Sequence, residues 1–275
     1  MKIASYNTFA TDLRSRGFEY ALAHTEELGF DGVEALYLNQ GLPSIDDVKR
    51  AKERFDAYGL EVVCYSVGVN LTPDKALLTE KELTHHANVA AALGSPFLHH
   101  TLATALRKTP ELPTCEDIFD CVLSSAHRVA EYCATLGITC IYEPQGVYFN
   151  GVEGLERFFE EMKRNHDNIG ILGDIGNPLF VDDDPIAVFR RFGDDIKHLH
   201  AKNYRILQAD DPNRKTYHLT NGSYLLDTDL QSGVIDIPAC FAELGAYPHA
   251  VSIEKDGTDE EIHSYIQYLR NITAE

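Results

Sequence analysis

Residues 114–143 read TCEDIFDCVLSSAHRVAEYCATLGITCIYE, and this stretch contains the unit from which the fold is built. Thr114 followed three residues later by Asp117 is a helix-start pattern: the hydroxyl accepts a free backbone N–H while the carboxylate reaches back to the cap. Ile118, Val122, Ala126, Val129 and Cys133 then form the apolar stripe of a helix packed on one face. Gly137 follows, where that helix needs a left-handed end. The run ITCIYE (138–143) after it reads as a strand ending in a polar side chain.

The same sentence recurs along the chain. Strand-like runs stand at KIASYN (2–7), DGVEAL (31–36), EVVCYS (61–66), PFLHHT (96–101), ITCIYE, IGILGD (169–174), IKHLHAK (196–202) and AVSIEK (250–255). Gly29, Gly59, Gly94, Gly137 and Gly245 precede five of them, and Ser44 with Asp47, Thr79 with Glu82 and Thr258 with Glu261 repeat the capping pattern. Asp184 before Pro185, and Asp236 two residues before Pro238, mark further helix starts. Strands alternating with helices predict parallel βαβ units, and eight of them close a (β/α)8 TIM barrel, here a single domain over residues 1–275. An open doubly wound sheet would show a Gly-rich turn after its first strand, and Asn7-Thr8-Phe9-Ala10 has none. From Asn203 to Val234 no helix stripe appears, and Asp210-Asp211-Pro212-Asn213 and Asn221-Gly222 fall there. A long functional loop over the C-terminal face is expected, with a plain surface insertion as the alternative.

Composition narrows the function. The 275 residues hold 24 Lys and Arg against 43 Asp and Glu, a formal charge of -19 that repels phosphate backbones and anionic lipid, so neither nucleic acid nor membrane is an expected partner. The six cysteines (64, 115, 121, 133, 140 and 240) form no C-x-x-C pair, as suits reduced thiols. MKIASYNTF lacks the apolar core of a signal peptide, and no apolar run reaches membrane-spanning length. A soluble cytoplasmic protein is the expectation.

Four successive strands end on metal-competent side chains: Glu143, Asp174, His200 and Glu254. Any one of them alone reads more readily as a cap for the next helix or the partner of an arginine than as a ligand. Together, three carboxylates and an imidazole at one barrel end suit a divalent cation bound mainly by oxygen, whereas a structural zinc would call for thiolates. Alternation puts His198 on the same face as His200, about 6.6 Å deeper, as a satisfied interior histidine. Of His99 and His100 one points inward, and His100, nearer the mouth, is the expected substrate contact. The remaining histidines read as solvated or packing residues.

The strand ends in that order, within YEP, DIGN, HLHAKN and SIEKDG, resemble the xylose isomerase-like TIM barrels of sugar-phosphate isomerase and epimerase type; MKIASYN, GFDGVE (29–34) and LQSGVIDI (230–237) resemble the same family. The resemblance implies one divalent cation per chain on Glu143, Asp174, His200 and Glu254, manganese first, with magnesium, cobalt or zinc as alternatives. It implies a ketose or keto-sugar substrate whose adjacent oxygens complete the shell, so that an enediolate is stabilised when the neighbouring proton leaves. Glu143 and Glu254 are then the proton-transfer groups, inverting a centre or isomerising, while Asp174 and His200 hold the ion.

Many relatives carry a histidine three residues after the aspartate ligand, and this chain has Asn177, which keeps a substrate contact but no proton relay. Lys202 and Arg205 stand where relatives often fix a substrate oxygen, with surface charge as their alternative role. Three other readings remain beside the isomerase or epimerase: a dehydratase or lyase on a keto-sugar or keto-inositol, an abasic-site endonuclease opposed by Asn177 and the acidic charge, and a non-catalytic sugar-binding subunit opposed by the complete ligand set. Self-association into a homo-oligomer is left open.

Overall fold

The computed structural model describes residues 1–36, 42–73, 76–105, 114–213, 217–244, 247 and 249–272. Strands β1 (Lys2–Ser5), β2 (Gly32–Leu36), β3 (Glu61–Val67), β4 (Phe97–His100), β5 (Thr139–Tyr142), β6 (Ile169–Asp174) and β7 (Ile196–Ala201) occupy the first seven of the eight strand-like runs. After β7 come β8 (Asn203–Leu207), β9 (Tyr217–His218) and β10 (Tyr224–Thr228), and then β11 (Ala250–Ile253), the eighth run. The eight runs close a parallel barrel in the order β1-β11-β7-β6-β5-β4-β3-β2. This is a (β/α)8 TIM barrel in one domain. Its connecting helices are α1 (Asn7–Arg16), α2 (Phe18–Glu27), α3 (Ile45–Ala57), α4 (Ala76–Leu93), α5 (Cys115–Thr135), α6 (Gly151–Lys163), α7 (Pro185–Phe192), α8 (Ile237–Ala242) and α9 (Asp259–Ile272).

Local chemistry accounts for most of the boundaries. Thr114 and Asp117 form a reciprocal capping box at the start of α5, and Thr258 and Glu261 exchange the same bonds before α9. Ser44, Asp184 and Asp236 each accept a backbone N–H of the helix that follows. The Thr79 pairing with Glu82 is not a cap: α4 already runs from Ala76, because Ala-Leu-Leu ahead of Thr79 favours helix strongly enough to carry the start upstream. Gly137 ends the α5 turn at φ 70°, which L side chains rarely adopt. Gly245 lies outside the described residues.

The stripe of α5 is buried against the outside of the barrel, within a continuous core that includes Tyr142, Phe149, Phe158 and Phe189. The barrel interior is layered. Ala4, Cys64, Phe97, Ile141, Leu172 and Ala250 belong to a separate small apolar cluster, and polar side chains fill the space toward the C-terminal ends of the strands.

The stretch after β7 is not a structureless loop. β8, β10 and β9 form a three-stranded antiparallel sheet, in that order. Asn221 and Gly222 turn β9 into β10: the Asn221 side chain accepts from Ser223 N, and Gly222 takes φ 89°. The following segment is tied back by Asn203, whose amide donates to the carbonyls of Leu230 and Ile235 and accepts from Ile235 N. All six cysteines are free thiols. Among the described residues no helix is long and apolar enough to cross a membrane.

Candidate metal and active site

Parallel pairing sets the four strand-end side chains at one level. Asp174, the last residue of β6, is in register with His200 of β7, which is in turn in register with Ser252 of β11. Glu143 follows β5 directly, and Glu254 follows β11, its backbone N–H donating to Ala201 O. Each of the four offers one ligand atom, and these atoms lie within 4.8 Å of one another. His200 Nδ1 is 3.6 Å from Asp174 Oδ2, 3.7 Å from Glu143 Oε1 and 3.2 Å from Glu254 Oε2.

The donor set fits a divalent cation. His200 Nδ1 is buried without a hydrogen-bond partner and faces three carboxylates, the position of a coordinating lone pair. Asp174 is fixed at its other oxygen, Oδ1, by the backbone N–H groups of Gly176 (2.8 Å) and Asn177 (2.7 Å), which leaves Oδ2 to face the site. Asn177 is buried, and its amide donates to Glu143 Oε1 at 2.8 Å, so it braces two of the four groups at once.

Lys202 is the other cation here. Its ammonium is buried and lies 2.7 Å from Asp174 Oδ2 and 2.8 Å from Glu254 Oε2. Burial alone would push the lysine down, but the two carboxylates outweigh it and hold it well above its ordinary value. Burial raises Glu254 too, yet Lys202 and His200 bring it down to about 2. Asp174 goes the other way, to about 6, because complete burial exceeds the pull of Lys202. Gly176 makes the lysine's position accessible: a Cβ there would sit 2.5 Å from the Tyr204 ring and 2.9 Å from the Lys202 stem.

Two expected contacts are placed elsewhere. His100 points outward: its Nδ1 lies 3.0 Å from Thr101 O and its ring stands edge-on to Tyr142, in the layer between strands and helices. His99 is the inward residue of the pair, with Nε2 3.3 Å from Glu143 Oε2 and Nδ1 3.0 Å from Ser66 Oγ. Arg205 lies exposed on β8, and among the described residues no hydrogen bond or ion pair joins it to the four candidate ligands. His198 is the interior histidine expected, its Nε2 2.7 Å from Glu34 and 2.9 Å from Ser252 Oγ.

Glu34 is the residue that sequence reasoning passed over. It is fully buried at the centre of the barrel, where Ser66 donates to one oxygen and the Nε2 atoms of His198 and His200 lie against the carboxylate. Burial pushes its carboxyl up, and the two imidazoles more than reverse this, holding it well below the usual range. A glutamate in the middle of the apolar run GVEAL was the available signal, since a charge there must be paired. Glu34, Cys64 and His198 also converge closely enough to hold a metal. Both Glu34 oxygens are already engaged by imidazoles and a hydroxyl, so the trio reads as a hydrogen-bonded floor beneath the main site. Tyr6, just after β1, stacks on the His200 ring with centroids 4.9 Å apart.

Comparison with known proteins agrees with this architecture. An inosose dehydratase of Geobacillus kaustophilus is 27% identical over 201 residues, which is 68% of this chain; the match spans 62% of that curated relative's length. Among solved structures, a D-psicose 3-epimerase from Clostridium cellulolyticum with D-tagatose superposes with a TM-score of 0.74 at 16% identity, over 99% of both chains. A xylose isomerase-like TIM barrel protein from Mycobacterium smegmatis in complex with magnesium gives 0.73 at 16% identity, over 98% of this chain and 96% of that one. The family profile of the xylose isomerase-like TIM barrel matches residues 22–272, nearly the whole barrel with its four converging strand ends, and the chain belongs to that family.

Proposed function

We propose that this protein is a divalent-metal-dependent enzyme that removes the proton beside the carbonyl of a ketose or keto-sugar derivative, acting as an isomerase or epimerase. The observation that carries this reading is the convergence of Glu143, Asp174, His200 and Glu254 with an unpartnered His200 Nδ1 at their centre. A divalent ion held there supplies Lewis-acid polarisation of the substrate carbonyl. Manganese is our first choice, and magnesium, the ion in the M. smegmatis structure, the second.

The side chains divide the remaining work. Glu143 and Glu254 come from β5 and β11, which flank β6 and β7 in the barrel order, so they reach the substrate from either side of Asp174 and His200. One takes the carbon-bound proton, and the other returns a proton to the same or the neighbouring carbon. Asn177 and Lys202 hold substrate hydroxyls. His99 replaces His100 as the histidine within reach of the substrate.

A second reading, dehydration of a keto-sugar or keto-inositol, begins with the same proton abstraction and ends with loss of a hydroxyl at the next carbon. The inosose dehydratase relative favours it, as does the Lys202 ammonium, a charged donor 2.8 Å from Glu254 that can assist a departing hydroxyl. The test is proton NMR in deuterated solvent with manganese and a panel of ketoses, keto-glycosides and keto-inositols. Deuterium at the carbon beside the carbonyl supports the shared step. An epimer or aldose product then selects the first reading, and an unsaturated or deoxy-diketone product the second. No exchange with any member of the panel contradicts both.

A further inference from the structure

Glu34 has two carboxylate oxygens and three buried partners. His200 Nε2 lies 2.8 and 2.9 Å from them, His198 Nε2 lies 2.7 Å from one, and Ser66 donates its hydroxyl to the other. A carboxylate only accepts, so the ring nitrogen that each histidine turns toward it carries hydrogen, and in a neutral ring the opposite nitrogen is the lone-pair nitrogen. For His200 that opposite atom is Nδ1, the one facing Glu143, Asp174 and Glu254.

The same logic extends through Ser66. Its proton is committed to Glu34, so Ser66 Oγ accepts from His99 Nδ1 at 3.0 Å. His99 Nε2 is then a lone pair 3.3 Å from Glu143 Oε2. Both free nitrogens are buried, and neither has a hydrogen-bond partner. The Lys202 ammonium offsets Asp174 and Glu254, and the two ring lone pairs beside Glu143 favour a further cation or a hydroxyl donor there. We propose that Glu34 is a positioning residue: it turns His200 directly, and His99 through Ser66, so that their coordinating edges face the ion and the substrate.

This inference rests on the metal reading given above, and its test separates the two. The measurements are manganese affinity by competition with a chelating dye, and histidine ¹⁵N NMR of the metal-free protein at alkaline pH, where the buried carboxylates that hold His200 above its ordinary value no longer keep it charged and the spectrum reads the tautomer of each neutral ring. The wild type should show His200 protonated at Nε2 and His99 at Nδ1. Glu34→Gln should lose that preference and bind manganese about 10- to 100-fold more weakly, the usual cost of removing a carboxylate behind a ligating histidine. Ser66→Ala should change the His99 tautomer and, with the Glu34–His200 contact left in place, cost far less manganese affinity than Glu34→Gln. Ser252→Ala removes a hydroxyl from His198 and leaves the Glu34–His200 contact in place, so it should cost far less manganese affinity than Glu34→Gln.

Wild-type affinity in Glu34→Gln, or an equal loss in Ser252→Ala, overturns the proposal, because the second would mark a general packing effect. Should Glu34→Gln fail to fold, Ser66→Ala decides: an altered His99 tautomer supports the relay, and an unchanged one overturns it. A wild type that takes up no divalent ion contradicts the metal reading. In that case the ¹⁵N spectra still decide whether Glu34 sets the tautomers.

Discussion

The ammonium of Lys202 lies 2.7 Å from Asp174 Oδ2, the same oxygen that faces His200 Nδ1 at 3.6 Å. A built-in cation and a candidate metal ligand therefore share one atom. Two buried carboxylates, Glu143 and Asp174, gathered with the half-buried Glu254 would be unfavourable without a counter-charge, and Lys202 supplies one.

The first prediction follows from that sharing. Lys202→Met leaves Asp174 and Glu254 without their ammonium, and removing one partner of a buried pair costs about 3–5 kcal/mol. The metal-free variant should melt well below wild type, and saturating manganese should recover more stability in the variant than in wild type. Equal melting of the two metal-free proteins would contradict it.

Gly176→Ala tests the same corner sterically. The new Cβ meets the Tyr204 ring at 2.5 Å and the Lys202 stem at 2.9 Å, so one of them must move. Overpacking of this kind costs about 1–3 kcal/mol, and denaturant unfolding should register the loss. An unchanged midpoint would show that the turn yields freely.

His100 gives a pH prediction. Burial lowers it from 6.5 to about 4, so the unfolded chain binds the proton more readily than the folded one within that window. Its contribution is fully present above pH 6.5 and is lost as pH falls toward 4. The depression corresponds to about 3 kcal/mol. His100→Gln should flatten the loss of stability between pH 6.5 and 4, as followed by urea unfolding, and an unchanged slope would place the acid sensitivity elsewhere.

Much of this molecule was legible in the chain because its cues are local. A capping box spans four residues, a left-handed glycine marks a helix end, and a strand that finishes on a carboxylate shows it in its last letter. Thr114 and Gly137 are read that way and are found in those roles, and Glu143 stands directly after β5 among the four converging side chains. The choice between His99 and His100 was not local. It depends on the stagger of neighbouring strands, which pairs His99 with Ile141 on the face that continues to Glu143. The β8–β10 sheet was missed because its strands pair across a gap that leaves no helix stripe and little alternation, although Asn221-Gly222 was a hairpin signal in plain view. Glu34 was hidden because its partners come from β3 and β7, remote in sequence.

Glu143→Gln and Glu254→Gln test the division of labour. Glutamine keeps a coordinating oxygen but cannot take the proton. At saturating manganese, each variant should exchange substrate protons about 10²- to 10⁴-fold more slowly than wild type, the usual scale of general acid–base catalysis. Wild-type exchange in both would move the base elsewhere, with His99 the first candidate.

The central claim is that four strand ends hold one divalent cation per chain, and a calorimetric manganese titration tests it most directly. Wild type should bind with a stoichiometry of one, and Asp174→Asn and His200→Ala should each bind far more weakly, with Glu143→Gln and Glu254→Gln weakened to a smaller degree. Manganese affinity unchanged from wild type in all four variants would contradict the account.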